Sequence, residues 1–215
     1  MTDVGGVRLH VEVDGAGPAL VLVNGAFCTV RQWDEVVGRL AEAFRVIRHD
    51  VRGTGRSGPG PADGYTFERY ADDIVALLDD LGEPRARLWG MAWGARVALV
   101  TAARHPDRFE RLLLSDLAID PADPDAQKAG GRAAKADRAG AGIPEVARPD
   151  GWNTHDDVDE AVKALGATRL HADLLPFVEQ VSVPTLLATG DHDPNLVSSR
   201  RALAAFADAR LEVLP

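Results

Sequence analysis

Trp89-Gly90-Met91-Ala92-Trp93-Gly94-Ala95 joins two segments of different period. Residues 85–89 read as a short strand and residues 95–104 as a helix ending at His105-Pro106, because a proline bars the residue before it from the helical region. The order strand, Gly-x-x-x-Gly, helix is what a nucleophile elbow needs: its central residue sits at a strained turn, and the flanking glycines let strand and helix approach closely. That central position holds Ala92, a methyl group where a hydroxyl would project beside a helix N-terminus. Two glycines four apart also occur wherever a helix packs tightly, so the neighbouring segments have to decide between the readings.

Upstream, Thr66 is placed to cap a helix whose stripe Tyr70, Ile74, Leu77, Leu78 and Leu81 follows the helical period until Gly82 stops it. Before it, residues 45–49 form a strand leading to Asp50 and the loop Arg52-Gly53-Thr54-Gly55-Arg56-Ser57-Gly58. With neither a Gly-Lys-Ser/Thr end nor a helix opening directly from it, this loop does not fit a phosphate cradle. Residues 32–44 read as a helix and residues 19–23 as a buried strand, while the alternating residues 7–13 and the turn Asp14-Gly15-Ala16-Gly17 read as a leading hairpin. Downstream, residues 111–114, 184–189 and 210–214 are strands and residues 196–206 a helix. Strands separated by helices rather than by two-residue turns pair in parallel. The fold class expected is therefore α/β: a doubly wound, mostly parallel sheet covered on both faces.

Residues 119–183 change character. Residues 121–150 are rich in Ala, Gly, Asp, Arg and Pro and short of large apolar side chains, so no core of their own is expected. Thr154 is placed to cap a short helix through Leu165, with Gly166 as its stop. The organisation expected is a core of residues 1–118 and 184–215, with residues 119–183 inserted as a cap or lid.

A chain of 215 residues that is 46% hydrophobic can bury one substantial core. Its formal net charge of -9, with no Lys/Arg cluster, argues against nucleic acid and against an anionic membrane as partners. A small-molecule substrate or ligand is the partner expected, and the oligomeric state is left open. The single Cys28 excludes an internal disulfide. The opening Met1-Thr2-Asp3-Val4-Gly5 has neither a basic nor an apolar leader region and no apolar run reaches membrane-span length, which gives a cytoplasmic expectation. No histidine pair has zinc-motif spacing, and no metal or organic cofactor is expected.

Four segments in order resemble the α/β-hydrolase fold family, and within it the enol-lactone hydrolases and haloperoxidase-like esterases. Leu20-Val21-Leu22-Val23-Asn24-Gly25-Ala26-Phe27 is similar to the family's oxyanion-loop strand, and His49-Asp50-Val51-Arg52-Gly53-Thr54-Gly55-Arg56-Ser57 to its Asp-x-Arg-Gly-x-Gly-x-Ser loop. The elbow and Pro184-Thr185-Leu186-Leu187-Ala188-Thr189-Gly190-Asp191-His192-Asp193, similar to the acid-bearing strand and loop, complete the set. The resemblance implies Ala92 at the nucleophile position, Asp193 at the acid position with Asp116 as an alternative acid, and an oxyanion hole from the backbone N–H groups of Ala26, Phe27 and Trp93. Asn24, Gly25 and Met91 would border the substrate pocket, with the Trp93 and Phe27 rings lining it. Asp50 and Arg52 are expected to fix their loop, and Cys28 to be a packed thiol. The resemblance also implies a histidine soon after the last strand, and the sequence reaches Pro215 about where that loop should begin. His10, His49, His105 and His192 do not suit the role; His155 and His171 belong to the cap, from which either could reach a cleft from above, with a surface role the expectation for each.

The activity implied is hydrolysis of a small ester, lactone or related acyl substrate through an acyl-enzyme, disabled in this sequence by Ala92 and by the missing histidine. Two alternatives stand beside it: a non-catalytic pseudoenzyme that binds a small apolar ligand or a protein partner, and a cyclase or isomerase that uses the retained pocket.

Overall fold

The computed structural model describes residues 1–61, 63–121, 123–145, 147–168 and 173–215. Strands β1 (Thr2–Val4) and β2 (Val7–Leu9) pair as a hairpin across Gly5 and Gly6, both at positive φ. There follow β3 (Val11–Asp14), β4 (Ala19–Val23), α1 (Asp34–Ala41), β5 (Arg45–His49), α2 (Phe67–Asp80), β6 (Ala86–Met91), α3 (Trp93–Arg104) and β7 (Phe109–Ser115). After β7 come α4 (Pro124–Gly140), α5 (Val158–Ala167) and α6 (Leu175–Val178), then β8 (Thr185–Gly190), α7 (Leu196–Leu203) and β9 (Ala209–Leu214).

Among the described residues the main sheet has seven strands in the order β3-β5-β4-β6-β7-β8-β9; β3 runs antiparallel to β5, and every other pair is parallel. The leading hairpin is thus β1–β2. The turn at residues 14–17 does not close one, because β5 lies between β3 and β4. Strand order reverses at β4: the chain moves from it to β5 on one side, then returns to β6 on the other. Such a reversal leaves a crevice outside the carboxyl ends of the two strands, and the segments leaving β4 and β6 are the Asn24–Gly25 loop and the Ala92 elbow.

The sequence patterns explain the elements. All five residues of β4 are buried, as a central parallel strand requires. The Thr66 hydroxyl accepts from the Arg69 N–H at 3.1 Å and caps α2, which buries Tyr70, Ile74, Leu77 and Leu78 and ends before Gly82 at φ +71. Together with α3 this helix covers one face of the sheet in a large apolar cluster that also takes in Val178, Val181 and Ala202.

Three points bear on the expectations. The segment after β7 was expected to form no core of its own, and α4, which runs through its Ala-rich stretch and is capped by Asp123 at 2.9 and 3.0 Å, is almost wholly exposed. Alanine's helix propensity and the Asp123-Pro124 start suffice to explain the helix. The cap of α5 is Asp157, not Thr154, and Gly166 lies inside the helix. The third concerns coverage. Leu22, Trp89, Leu113, Leu186 and Arg210 stand in register across β4, β6, β7, β8 and β9 and so point to one face. Helix α1 covers the Leu22 end of that row. Beyond it lies an open cavity of about 640 Å³ lined by Trp89, Leu113, Leu186 and Arg210 among others, so the described helices cover the two faces unequally.

Candidate active site

At the end of β6 the backbone turns sharply at Ala92, with φ 52° and ψ -111°. The Ala92 N–H donates to the Ser115 carbonyl of β7 at 2.8 Å, and the Ala92 carbonyl accepts from Ala95 N–H at 3.0 Å as α3 begins. A Cβ at Gly90 would run into the backbone of Gly94 and Ala95, and one at Gly94 into the carbonyl oxygens of Val23 and Asn24. Both glycines therefore serve close backbone approach, and the second brings the elbow against the loop after β4.

That loop closes as a turn with the Cys28 N–H on the Gly25 carbonyl at 3.1 Å, leaving Ala26 and Phe27 at its corners and Phe27 at φ 57°. Gln32 braces it, its Oε1 accepting from Gly25 N–H at 2.8 Å and its Nε2 reaching Met91 Sδ. Asn24 turns inward rather than toward a ligand: it is 1% exposed, with Oδ1 accepting from Trp33 Nε1 at 2.7 Å and Nδ2 donating to the His49 carbonyl at 3.0 Å. The Trp93 backbone N–H heads α3, where the first N–H groups have no acceptor within the helix. Its ring, expected to line a pocket, is buried instead against Tyr70 (centroids 5.0 Å, 85°) and donates through Nε1 to Thr168 at 2.9 Å. It anchors α5.

Asp116 follows β7 at φ 55°, its N–H on the Ala188 carbonyl at 2.9 Å. Asp193 lies in the turn after β8 and accepts from Asn195 N–H at 2.7 Å. The two carboxyls feel each other, for burial, and then the Asp193 charge, push the Asp116 carboxyl up to about 6. Ala92, Phe27 and Asp116 are the three non-glycine residues at positive φ among those described. All three are sequence-selected candidates.

The glycine-rich loop is held by a scaffold. Arg52, 1% exposed, makes a bidentate pair with Asp73 of α2 at 2.6 and 2.5 Å. Asp50 accepts from the N–H groups of Val30 at 2.8 Å and Arg56 at 3.0 Å. Burial pushes the Cys28 thiol up to about 11, against the lowering effect of the Arg148 charge, which leaves it a poor nucleophile.

The histidines are dispersed. His10 contacts Glu12 at 3.1 Å, His105 contacts Asp72 at 3.2 Å and His192 contacts Asp191 at 3.5 Å. His49 is buried and held down to about 4 by that burial. His171 lies outside the described residues. His155, expected at the surface, instead accepts from Gly55 N–H at Nδ1 (2.8 Å) and lies edge-on to Phe27 at 6.3 Å. A contact spanning a hundred positions leaves no local signature in sequence, and the brace by Gln32 was likewise not foreseen. Among the described residues, no three His, Cys, Asp or Glu side chains cluster as metal ligands, and no helix is long and apolar enough to cross a membrane.

Comparison with known proteins agrees with this architecture. A family model described as the alpha/beta hydrolase fold matches residues 18–150. The enol-lactonase from Burkholderia xenovorans LB400 superposes with a TM-score of 0.79 at 28% identity, over 99% of this chain and 90% of that one. An epoxide hydrolase of Caballeronia sordidicola is 40% identical over 107 residues, 49% of this chain and 32% of its own length. A 2-(acetamidomethylene)succinate hydrolase of Mesorhizobium japonicum is 36% identical over 118 residues, 55% of this chain and 41% of its own. The chain thus spans less than half of those two curated relatives. With its reversed strand order, its strained elbow and a family match over most of its length, the chain belongs to the α/β-hydrolase fold family.

Proposed function

We propose that the turn at residues 25–28, the Ala92 elbow and the Asp116–Asp193 carboxyls form a site for small esters, lactones or related acyl compounds. In this reading the backbone N–H groups of Ala26, Phe27 and Trp93 meet the acyl oxygen, and Asp193 stands at the acid position with Asp116 as its alternative. Residues 119–183 act as a cap. The chain as it stands binds such compounds without forming an acyl-enzyme, because position 92 carries a methyl group and a methyl group cannot attack a carbonyl. Loss of the nucleophile in a site of this kind lowers turnover on the order of a millionfold.

The observation that carries the reading is the concentration of backbone strain. Positive φ at a side-chain-bearing residue costs about 1–3 kcal/mol and persists where the surroundings enforce it, characteristically at functional sites. Here it falls on Phe27, Ala92 and Asp116. Simple close packing of a helix would call for Gly90 and Gly94 and for no strain at Ala92.

Ala92→Ser tests the proposal. The unaltered chain should bind γ-lactones in calorimetric titration and release no nitrophenol from short-chain nitrophenyl esters above background. The serine variant should release at least a stoichiometric burst once a segment carrying the histidine that the resemblance implies is added after Pro215, and none without it. Absence of lactone binding by the first, together with absence of any burst from the extended serine variant, would refute the reading.

A further inference from the structure

Among the described residues the main sheet ends in two edge strands, β3 and β9. An unpaired edge presents a row of backbone N–H and C=O groups that a further strand can join, and proteins either guard such edges with charge or use them. The β3 edge is guarded. Its Glu12 and Asp14 are held by Arg48 at 2.9 and 2.8 Å. They alternate onto one face, so wherever they met β3 of a second copy, acid would face acid.

Strand β9 differs. Its six residues, Ala209-Arg210-Leu211-Glu212-Val213-Leu214, are paired on the β8 side alone. Arg210 stands opposite Leu186, Leu211 opposite Leu187 and Glu212 opposite Ala188. Arg210, Glu212 and Leu214 therefore share the open face of the sheet, while Ala209, Leu211 and Val213 share the face of the α2–α3 core. Arg210 and Glu212 are exposed and enter no ion pair among the described residues. Val213 and Leu214 are 42% and 52% exposed. With no proline, no bulge and one charge of each sign, this edge is open to pairing.

The order of its side chains selects the partner. A two-fold axis normal to the sheet pairs two β9 strands antiparallel and keeps the faces of the two copies aligned. Centred on Arg210 or on Glu212, the axis sets like charges directly opposite each other, which is unfavourable. Centres nearer either end pair fewer residues. Centred on Leu211, the axis sets Arg210 of each copy opposite Glu212 of the other, Leu211 opposite Leu211, and Ala209 opposite Val213. Both charges are then matched twice, and the exposed Val213 gains an apolar neighbour.

We infer that β9 is the seam of a two-fold dimer, in which the β9 strands of two copies pair antiparallel about Leu211 and join two seven-stranded sheets into one.

The test follows the mass of the full chain by analytical ultracentrifugation from about 1 µM to about 1 mM, a range that spans weak association. The mass should rise from one chain to two. Arg210→Glu and Glu212→Arg should each weaken the dimer about tenfold, because symmetry counts each like-charge contact twice, and the double variant should restore it. Leu211→Cys in a Cys28→Ala background should cross-link with oxidised glutathione, since directly opposite residues lie about 4.5–5.5 Å apart between Cα atoms, within the span of a disulfide. Val213→Cys, displaced from the axis, should not. A chain that stays monomeric throughout overturns the proposal and leaves the edge to a strand from another protein. A dimer indifferent to both single exchanges, or a double variant as weak as the singles, overturns it as well. Cross-linking at Val213 in place of Leu211 refutes the register, and this readout stands even if a charge variant fails to fold.

Discussion

Ala92 holds φ 52° and ψ -111° without the glycine that such a conformation favours. The strain costs about 1–3 kcal/mol, and the extra freedom glycine brings to the unfolded chain returns roughly 0.5–1 kcal/mol of it. Ala92→Gly should therefore stabilise the protein by ~1 kcal/mol in urea unfolding; an equal loss would mean that the elbow is relaxed. Asp116 makes a second statement at this scale. Its folded carboxyl titrates near 6, against an ordinary 3.8, so the native state holds the proton more tightly. That contribution is complete below about pH 3.8 and disappears as pH rises through 6. Asp116→Asn mimics the protonated form and suits the positive φ. It should exceed the parent by ~2 kcal/mol near pH 7.5 and match it near pH 4. His49 acts in the opposite sense, its contribution being lost as pH falls from 6.5 toward 4, and comparing variant with parent cancels it. A constant offset between the two curves would remove Asp116 as the cause.

At the scale of elements, what could be read from the sequence followed range of interaction. The stripe of α2, its Thr66 cap and its Gly82 stop are local, and they were legible because each acts within one or two turns of chain. The core strands were legible as continuous apolar runs bounded by turn residues, with β6 and β7 each extending by about two residues into positions where partner strands continue the ladder. Three things were not legible. Pairing of β3 with β5 rather than β4 depends on the crossover through α1 that returns β5 between them, which no pattern within residues 11–23 encodes. Helix α4 has almost no apolar stripe, so periodicity gave no signal; its Ala content and Asp123 cap carried the information instead. The site itself divides in the same way. Its backbone devices, Gly90, Gly94 and the turn at residues 25–28, lie in short motifs, whereas Gln32, Trp152 and His155 reach it through tertiary contacts alone.

For the molecule as a whole, the unequal cover of the sheet has a measurable consequence. Among the described residues, helices α2 and α3 bury one face, while on the other α1 shelters the β4–β5 side. The row from Trp89 through Leu113 to Leu186 continues the apolar surface that α1 seals at Leu22, and it ends at Arg210 on β9, whose Val213 and Leu214 are exposed. Contiguous apolar surface of this kind attracts apolar ligands. The about 640 Å³ hollow over it is large enough for an aromatic dye. Anilinonaphthalene sulfonate should bind the native protein there, with Trp89 emission falling by energy transfer. Leu186→Glu, which places a carboxylate in the middle of the row, should cut dye affinity several-fold. The control Val197→Glu, on an α7 residue already 78% exposed, should leave affinity unchanged. Because Leu186 alternates with the buried Leu187 of the same strand, the charge points away from the α2–α3 core, and unfolding should shift by less than ~1 kcal/mol. Equal dye binding by parent and Leu186→Glu would show that the apolar row is not the surface the dye recognises.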